Sequence, residues 1–359
     1  MKKTLTISVI LITTAFFAQQ TYVPDDNFEQ ALINLGYDSG ALDDYVPTTN
    51  INTITYLYIN NKNIADLTGI QDFVALQTLR CHSNQLTSLD ISNNTALTAL
   101  WCYSNQLTSL DISNNTALDT LWCRFNQLTN LDVSNNTALL SLSCSYNQLT
   151  NLDVSNNTSL TNLSCDGNEL TSLDVSNNTA LSSLSCDDNQ LTNLDISNNT
   201  GLTALSCADN QLLTSLNVKN GNNTNIYDDD FEVENNPNLT CIIVDDAAWS
   251  TANWTSYIDA TSTFVNNQAA CDALASVSEN SLVNQITIFP NPATNILYIQ
   301  NNSNYFIDTI SIYTMLGKLI YQSNDTQTTV DISTLSDGMY LVKLNNGSQV
   351  ISKKIIKTN

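Results

Sequence analysis

A single histidine, His82, and only two arginines, Arg80 and Arg124, serve a chain of 359 residues. With one imidazole, any histidine-based metal site and any Ser-His-Asp or Cys-His device would have to be built around His82. G-x-S-x-G, H-E-x-x-H and a phosphate-cradling glycine loop are all missing, which removes the commoner hydrolase, metalloprotease and nucleotide-binding signatures. Basic charge is scarce as well: 11 lysines and arginines stand against 34 acids, a formal net charge of −23. Nucleic acid and anionic lipid need clustered basic groups, so neither is an expected partner. The acidity suits an extracellular protein kept soluble by self-repulsion. Past the N-terminus no stretch approaches the roughly 20 apolar residues of a spanning helix. Carboxylates are plentiful enough for acid–base hydrolysis, but none sits in a recognisable pocket-forming context, and the chain reads as non-enzymatic.

Residues 1–18 have the layout of a secretory signal, with Lys2 and Lys3 ahead of an apolar stretch from Leu5 to Phe17 and a cleavage residue at Ala18. Beyond Ala18 the chain is dominated by repetition. Between Leu76 and Leu213 a 21-residue phrase, L-x-x-L-x-C-x-x-N-Q-L-T-x-L-D-[IV]-S-N-N-T-x, occurs seven times. Its cysteines are Cys81, Cys102, Cys123, Cys144, Cys165, Cys186 and Cys207, and an asparagine stands three places after each, from Asn84 to Asn210. A unit this short cannot bury its own apolar side, so the repeat predicts a stacked solenoid.

Leu79 and Cys81 alternate with Arg80, and Leu89 and Ile91 with Asp90, so each unit holds two in-out-in stretches. Two parallel sheets, or one sheet facing a looser extended wall, satisfy that pattern. An inward asparagine at the end of the first strand can bond the turn backbones of adjacent coils as a ladder. Parallel neighbours lie about 4.8 Å apart, wider than the usual Cβ separation of about 3.8 Å in a disulfide. Metal ligands converge rather than line up, so the seven cysteines read as small buried hydrophobes.

The phrase resembles the leucine-rich repeat family in its bacterial, nested form, over roughly Leu57 to Val218. Tyr56–Leu76 departs from it as a longer first coil with Lys62 in place of the asparagine, and Leu213 reads as an inserted residue. Residues 19–55 read as an N-terminal cap, with a helix begun by Asp25 or Asp26, an apolar face of Phe28, Ala31, Leu32 and Leu35, and Gly36 ending it. The solenoid then covers 56–225. Residues 226–275 form a C-terminal cap that includes a strand in which Leu239, Cys241 and Ile243 alternate with Thr240 and Ile242. Cys241 and Cys271 stand outside the ladder and are the expected disulfide, worth roughly 3–4 kcal/mol on loop-entropy grounds.

After a polar linker at 276–285, residues 286–359 break into short alternating strands separated by turn residues, a small immunoglobulin-like β-sandwich. Phe289-Pro290-Asn291-Pro292, Leu316-Gly317-Lys318, Asp331-Ile332-Ser333, Leu335, Gly338, Tyr340 and Lys353-Lys354-Ile355-Ile356-Lys357 occur there in order. That series resembles the C-terminal sorting domain of the type IX secretion system of Bacteroidota. The resemblance implies export across both membranes, with the type IX machinery as partner, tail removal, and release or attachment at the cell surface. The expected class is therefore mainly all-β: a leucine-rich repeat solenoid with a short helical N-terminal cap, then a sandwich.

The residues that vary inside the constant frame point to function. The outward place between Leu and Cys carries Arg80, Trp101 and Trp122, then serines; the two places after Cys carry His82, Tyr103, Arg124, Phe125 and Tyr146, then small or acidic residues. Trp, Tyr and Arg dominate binding hot spots, so Arg80, Trp101, Tyr103, Trp122, Arg124, Phe125 and Tyr146 are the candidate platform for an extracellular protein or glycan. The alternative is that these rings pack only on one another or against the cap. Asp90, Asp111, Asp132, Asp153, Asp174 and Asp195 form a second outward column. Their mutual repulsion calls for hydrogen bonds from neighbouring Ser and Thr, raised pKa values, or bound calcium, the one candidate cofactor; Asp228, Asp229 and Asp230 are a further candidate. The expected role is non-enzymatic recognition or adhesion in the secreted or outer-surface state. A calcium-stabilised surface spacer is the alternative.

Overall fold

In a computed structural model the described residues are 19–274, 285–302, 306–324, 328–345 and 350–359, so the signal segment and almost all of the linker lie outside them. The chain divides into two compact units, Met1–Asn267 and Gln268–Asn359.

The first unit opens with strand Gln20–Tyr22 paired antiparallel to Tyr45–Pro47 and helix Asp26–Asn34. Asp25 caps this helix through Oδ1, which accepts from the amides of Asn27 and Phe28. Its other oxygen accepts from the amides of Ala65 and Asp66 at 2.8 and 3.0 Å, tying the cap to the first coil. Phe28, Ala31 and Leu32 are buried, whereas Leu35 is 43% exposed and leaves the expected face. It has become the C-cap, beyond the last turn that points inward.

Nine parallel strands then form one sheet, from Tyr56–Tyr58 through Thr78–Arg80, Ala99–Trp101 and Thr120–Trp122 to Ala204–Ser206 and Phe231–Glu232. Register is fixed by the repeat: Leu79 lies opposite Leu100, and Leu100 opposite Leu121. All seven ladder cysteines are fully buried and unpaired by disulfide. Of the two walls expected opposite, the looser one is found along most of the solenoid. A second, four-stranded sheet of Asn193–Asp195, Ser215–Asn217, Cys241–Ile243 and Thr263–Val265 forms at its C-terminal end. There all of Cys241, Ile242 and Ile243 are buried, not alternate ones, because sheet and cap cover both faces. Helix Ala247–Trp254 was not expected; it delivers Trp254 onto Phe231, ring centroids 4.0 Å apart. The extra residue of the last coil is Leu212, 49% exposed, since Leu213 takes the buried leucine place. Cys241 and Cys271 are both disulfide-bonded.

Asparagine satisfies the coil backbones. Asn126 Nδ2 donates to the carbonyls of Cys102 and Cys123 at 3.1 and 3.0 Å, and its Oδ1 accepts from the Leu107 amide at 3.0 Å. The same ladder runs to Asn210. A second one is not evident from the sequence: Asn94, Asn115, Asn136, Asn157, Asn178 and Asn199 are fully buried, and Asn136, for instance, donates to Ile112 O and Asn115 O.

The second unit contains a three-stranded sheet, Ile286–Phe289, Ile296–Asn301 and Thr329–Asp331, and a four-stranded sheet of Leu319–Ser323, Thr309–Thr314, Gly338–Asn345 and Val350–Lys357. Thr329–Asp331 is a strand not expected from the sequence. The motif residues hold the sandwich together: Asn291 Nδ2 donates to Lys354 O, Asn291 Oδ1 accepts from the Ile356 amide, and Tyr340 Oη donates to Ser336 O. No helix among the described residues is long and apolar enough to cross a membrane.

Candidate ligand platform

Because strands stack in register, residues of one sequence place become neighbours across coils. Residue 80 of one strand pairs with 101 of the next, and 101 with 122. The outer face of the sheet thus carries parallel columns, and in the first coils these are aromatic and cationic. Arg80 lies between two rings, its guanidinium carbon 4.5 Å from the Tyr58 centroid and 3.5 Å from that of Trp101. Trp101 stacks on Trp122 at 4.8 Å and 9°, the spacing of the strands themselves. In the next column His82 stacks on Tyr103 at 4.2 Å, and the Arg124 guanidinium lies 5.0 Å from the Tyr103 ring. Phe125 and Tyr146 stack at 4.6 Å in the third.

All seven residues proposed from the sequence are therefore brought together on one surface. Tyr58 and His82 belong to it too. Tyr58 was missed because its coil is irregular, although Tyr-Leu-Tyr at 56–58 repeats the in-out frame of Thr-Leu-Arg at 78–80. Burial holds the His82 imidazole below its ordinary value, and Arg80 and Arg124 lower it further. Nε of Arg80, Nε1 of Trp101 and Nε of Arg124 have no hydrogen-bond partner among the described residues.

The third column is held at positive φ in every coil: Ser83, Ser104, Phe125 and Tyr146 at 55°, Gly167 at 58°, Asp188 at 50° and Asp209 at 56°. This conformation suits glycine and disfavours bulky side chains, costing of order 1 kcal/mol. Phe125 and Tyr146 occupy it nonetheless, 46% and 49% exposed. Gly167 leaves the space above it to Tyr146; a Cβ there would lie 2.5 Å from that ring.

Towards the other end of the face the charge reverses. Asp166 accepts from Ser145, Ser164 and Ser185. Asp187 accepts from Ser206 Oγ and from the Ala208 amide at 2.7 Å. Burial pushes the Asp187 carboxyl up to about 6, with Asp166 and Glu232 adding to the rise against these hydrogen bonds. Between the two halves lies an open trough of about 280 Å³, bounded by Trp122 and Arg124 and floored by Ser141, Ser143, Asn162, Ser164, Ser183 and Ser185.

The aspartate column on the opposite wall is exposed, and each member serves its own turn. Oδ1 of Asp90, Asp111, Asp132, Asp153, Asp174 and Asp195 accepts from the amide of the serine two residues on, at 2.8–3.1 Å. These serine hydrogen bonds hold Asp90, Asp111, Asp132, Asp153 and Asp174 below the ordinary carboxylate value. Hydrogen bonding, one of the three offsets expected for this column, is thus in place. The raised pKa values expected as another give way to lowered ones in these five, because the hydrogen bonds outweigh the repulsion. No group of three or more His, Cys, Asp or Glu side chains arranged to hold a metal occurs among the described residues.

Residues 287–358 match the family model described as "Secretion system C-terminal sorting domain". Internalin J of Listeria monocytogenes is 40% identical over 89 residues, 23% of this chain, and the match spans 10% of that protein's own length. Among solved structures, the functional domain of internalin J, which includes a cysteine ladder, is 22% identical, covers 96% of this chain and 100% of its own, and gives a TM-score of 0.39. Internalin C2 of the same species is 24% identical, covers 64% of this chain and 98% of its own, and gives 0.48. A leucine-rich repeat protein of Leptospira interrogans is 19% identical, covers 55% of this chain and 63% of its own, and gives 0.41.

Proposed function

We propose that this leucine-rich repeat protein, exported by way of a type IX sorting tail, recognises an extracellular protein or glycan through the outer face of its nine-stranded sheet, without catalysing a reaction. The observation that carries this reading is the continuous surface formed by Arg80, Trp101, Tyr103, Trp122, Arg124, Phe125 and Tyr146. Two of its aromatics sit where backbone conformation favours glycine. Strain kept at an exposed site is a signature of functional surfaces, and exposed Trp, Tyr and Arg are the usual anchors of affinity.

A second reading, a spacer whose rings only brace neighbouring coils, draws on the mutual stacking of Trp101 and Trp122; calcium on the aspartate column belongs to it. The two readings separate in one experiment. Trp101→Ala with Trp122→Ala, shown by circular dichroism to be folded, should lose retention on immobilised matrix proteins and glycans. Retention equal to that of the unaltered protein would leave only the spacer.

A further inference from the structure

The stacked Trp column ends at Trp122. In the next coil the same place is Ser143, and then Ser164 and Ser185. Trp101 covers one face of the Trp122 indole at 4.8 Å in a nearly parallel stack. The other face therefore looks along the column, over serine. The hydrogen bond from Trp122 Nε1 to Ser141 Oγ at 3.3 Å fixes the ring against that coil. An open aromatic face at the end of a trough lined by serine hydroxyls, the Asn162 amide and the buried Leu142 and Leu163, with the Arg124 guanidinium at its edge, combines three chemistries in one place.

A flat ring with an apolar face fits the indole. Many hydroxyls fit the floor. A carboxylate fits the guanidinium, whose fork matches it in two parallel hydrogen bonds. Asp166 accepts from Ser164 and Ser185 outside the lining, so Arg124, the charged group of the lining, sets the direction in which a carboxylated ligand lies. An acidic peptide matches less well, because the leucines of the lining, Leu142 and Leu163, are buried beneath the floor and open no side-chain pocket. At about 280 Å³ the trough lies just below the roughly 300–1,000 Å³ of small-molecule pockets, room for one sugar ring more than for a whole oligosaccharide.

Resting on the recognition reading above, we propose that this trough binds a short carboxylated oligosaccharide. One six-membered ring lies on Trp122, its carboxylate meets Arg124, and its hydroxyls bond Ser141, Ser143 and Asn162. The remaining aromatic surface receives the continuation of the ligand or its carrier.

Tryptophan fluorescence and calorimetric titrations of the full chain at low salt test this with tri-galacturonate, a neutral galactose trisaccharide and hexaglutamate. Tri-galacturonate should bind about tenfold or more tightly than the neutral sugar, the size expected of one charge-assisted pair. Arg124→Gln should bring the two sugars together, and Trp122→Ala should weaken both by about tenfold. Ser143→Trp places in that column the residue two earlier coils already carry; it should fill the trough and abolish binding in a folded protein. Equal affinity for charged and neutral sugar, or tri-galacturonate binding unchanged in Ser143→Trp, would overturn the proposal. Hexaglutamate binding that Arg124→Gln abolishes, with no sugar bound, would overturn the sugar while leaving recognition intact. Absence of binding by all three probes overturns the sugar proposal alone, since surface retention by the Trp101, Trp122 double variant reports separately on recognition.

Discussion

Asparagine has two tasks in each coil, and only one was legible. The residue three places after each cysteine comes directly after a buried strand, so a polar group there has to meet backbone, and the ladder from Asn84 to Asn210 was foreseen. The second asparagine of Ser-Asn-Asn-Thr sits among turn formers, each with its own reason to be exposed. Nothing in its neighbours signals that Asn94 and its successors are fully buried. The positive φ at Phe125 and Tyr146 was equally hidden, since the column mixes Ser, Phe, Tyr and Asp; Gly167 was its one clue. The first ladder gives a direct prediction. Asn126→Ala strands the Leu107 amide and takes one of two donors from the carbonyls of Cys102 and Cys123, which keep Asn105 and Asn147. An unmet buried amide costs roughly 1–3 kcal/mol, so the variant should lose about that much in denaturant unfolding. A loss under about 0.5 kcal/mol would mean that water replaces the amide without penalty.

At the scale of the element, sheet register and the buried cysteine row came from the fixed period, since identical spacing makes every coil repeat its neighbour's pairing. In the C-terminal cap the strand at Cys241–Ile243 was legible, but helix Ala247–Trp254 and the burial of all three strand residues were not. A terminal coil has no period to continue, and these features answer to the exposed end of the core. Five aspartates of the exposed column and Asp187 have opposite pH signs. The five aspartates held below their ordinary value contribute stability that is full above pH 3.8 and is lost as the pH falls through their lower folded values. Asp187, raised from 3.8 to about 6, favours the protonated folded form, so its ionisation penalises the native state as pH rises across that window. Asp187→Asn keeps an acceptor for the Ala208 amide and removes the charge. Its Tm should exceed that of the unaltered protein by an amount that grows between pH 4 and 6.5; a constant difference would place the titration elsewhere. Since each carboxylate of the other column already closes its own turn, chelation should leave Tm unchanged at neutral pH. A fall of several degrees would assign the column a structural calcium ion.

On the scale of the whole molecule, a solenoid is nearly one-dimensional: each coil touches only its neighbours, so stability is a sum of units and interfaces and opening starts at the ends. The end coils therefore depend on their caps more than the middle coils depend on anything local. At the C-terminal end Trp254 is fully buried, stacked on Phe231 at 4.0 Å and set edge-on to Trp249 at 5.2 Å. Phe231 in turn belongs to the last strand of the nine-stranded sheet. Trp254→Ala removes the centre of that cap and should cost about 3–5 kcal/mol locally. In a three-dimensional core such a loss lowers protection throughout. Here it should be graded. Amide exchange should accelerate most in Phe231–Glu232 and Ala204–Ser206, less in Ser183–Ser185, and little in Tyr56–Tyr58, at the end with the intact N-terminal cap. Equal acceleration in the first and last strands would show that the coils unfold as one unit. The aromatic platform would then share the fate of a cap more than 100 residues away in sequence. A graded result instead lets the early coils that carry Trp101 and Trp122 remain ordered while the acidic end opens.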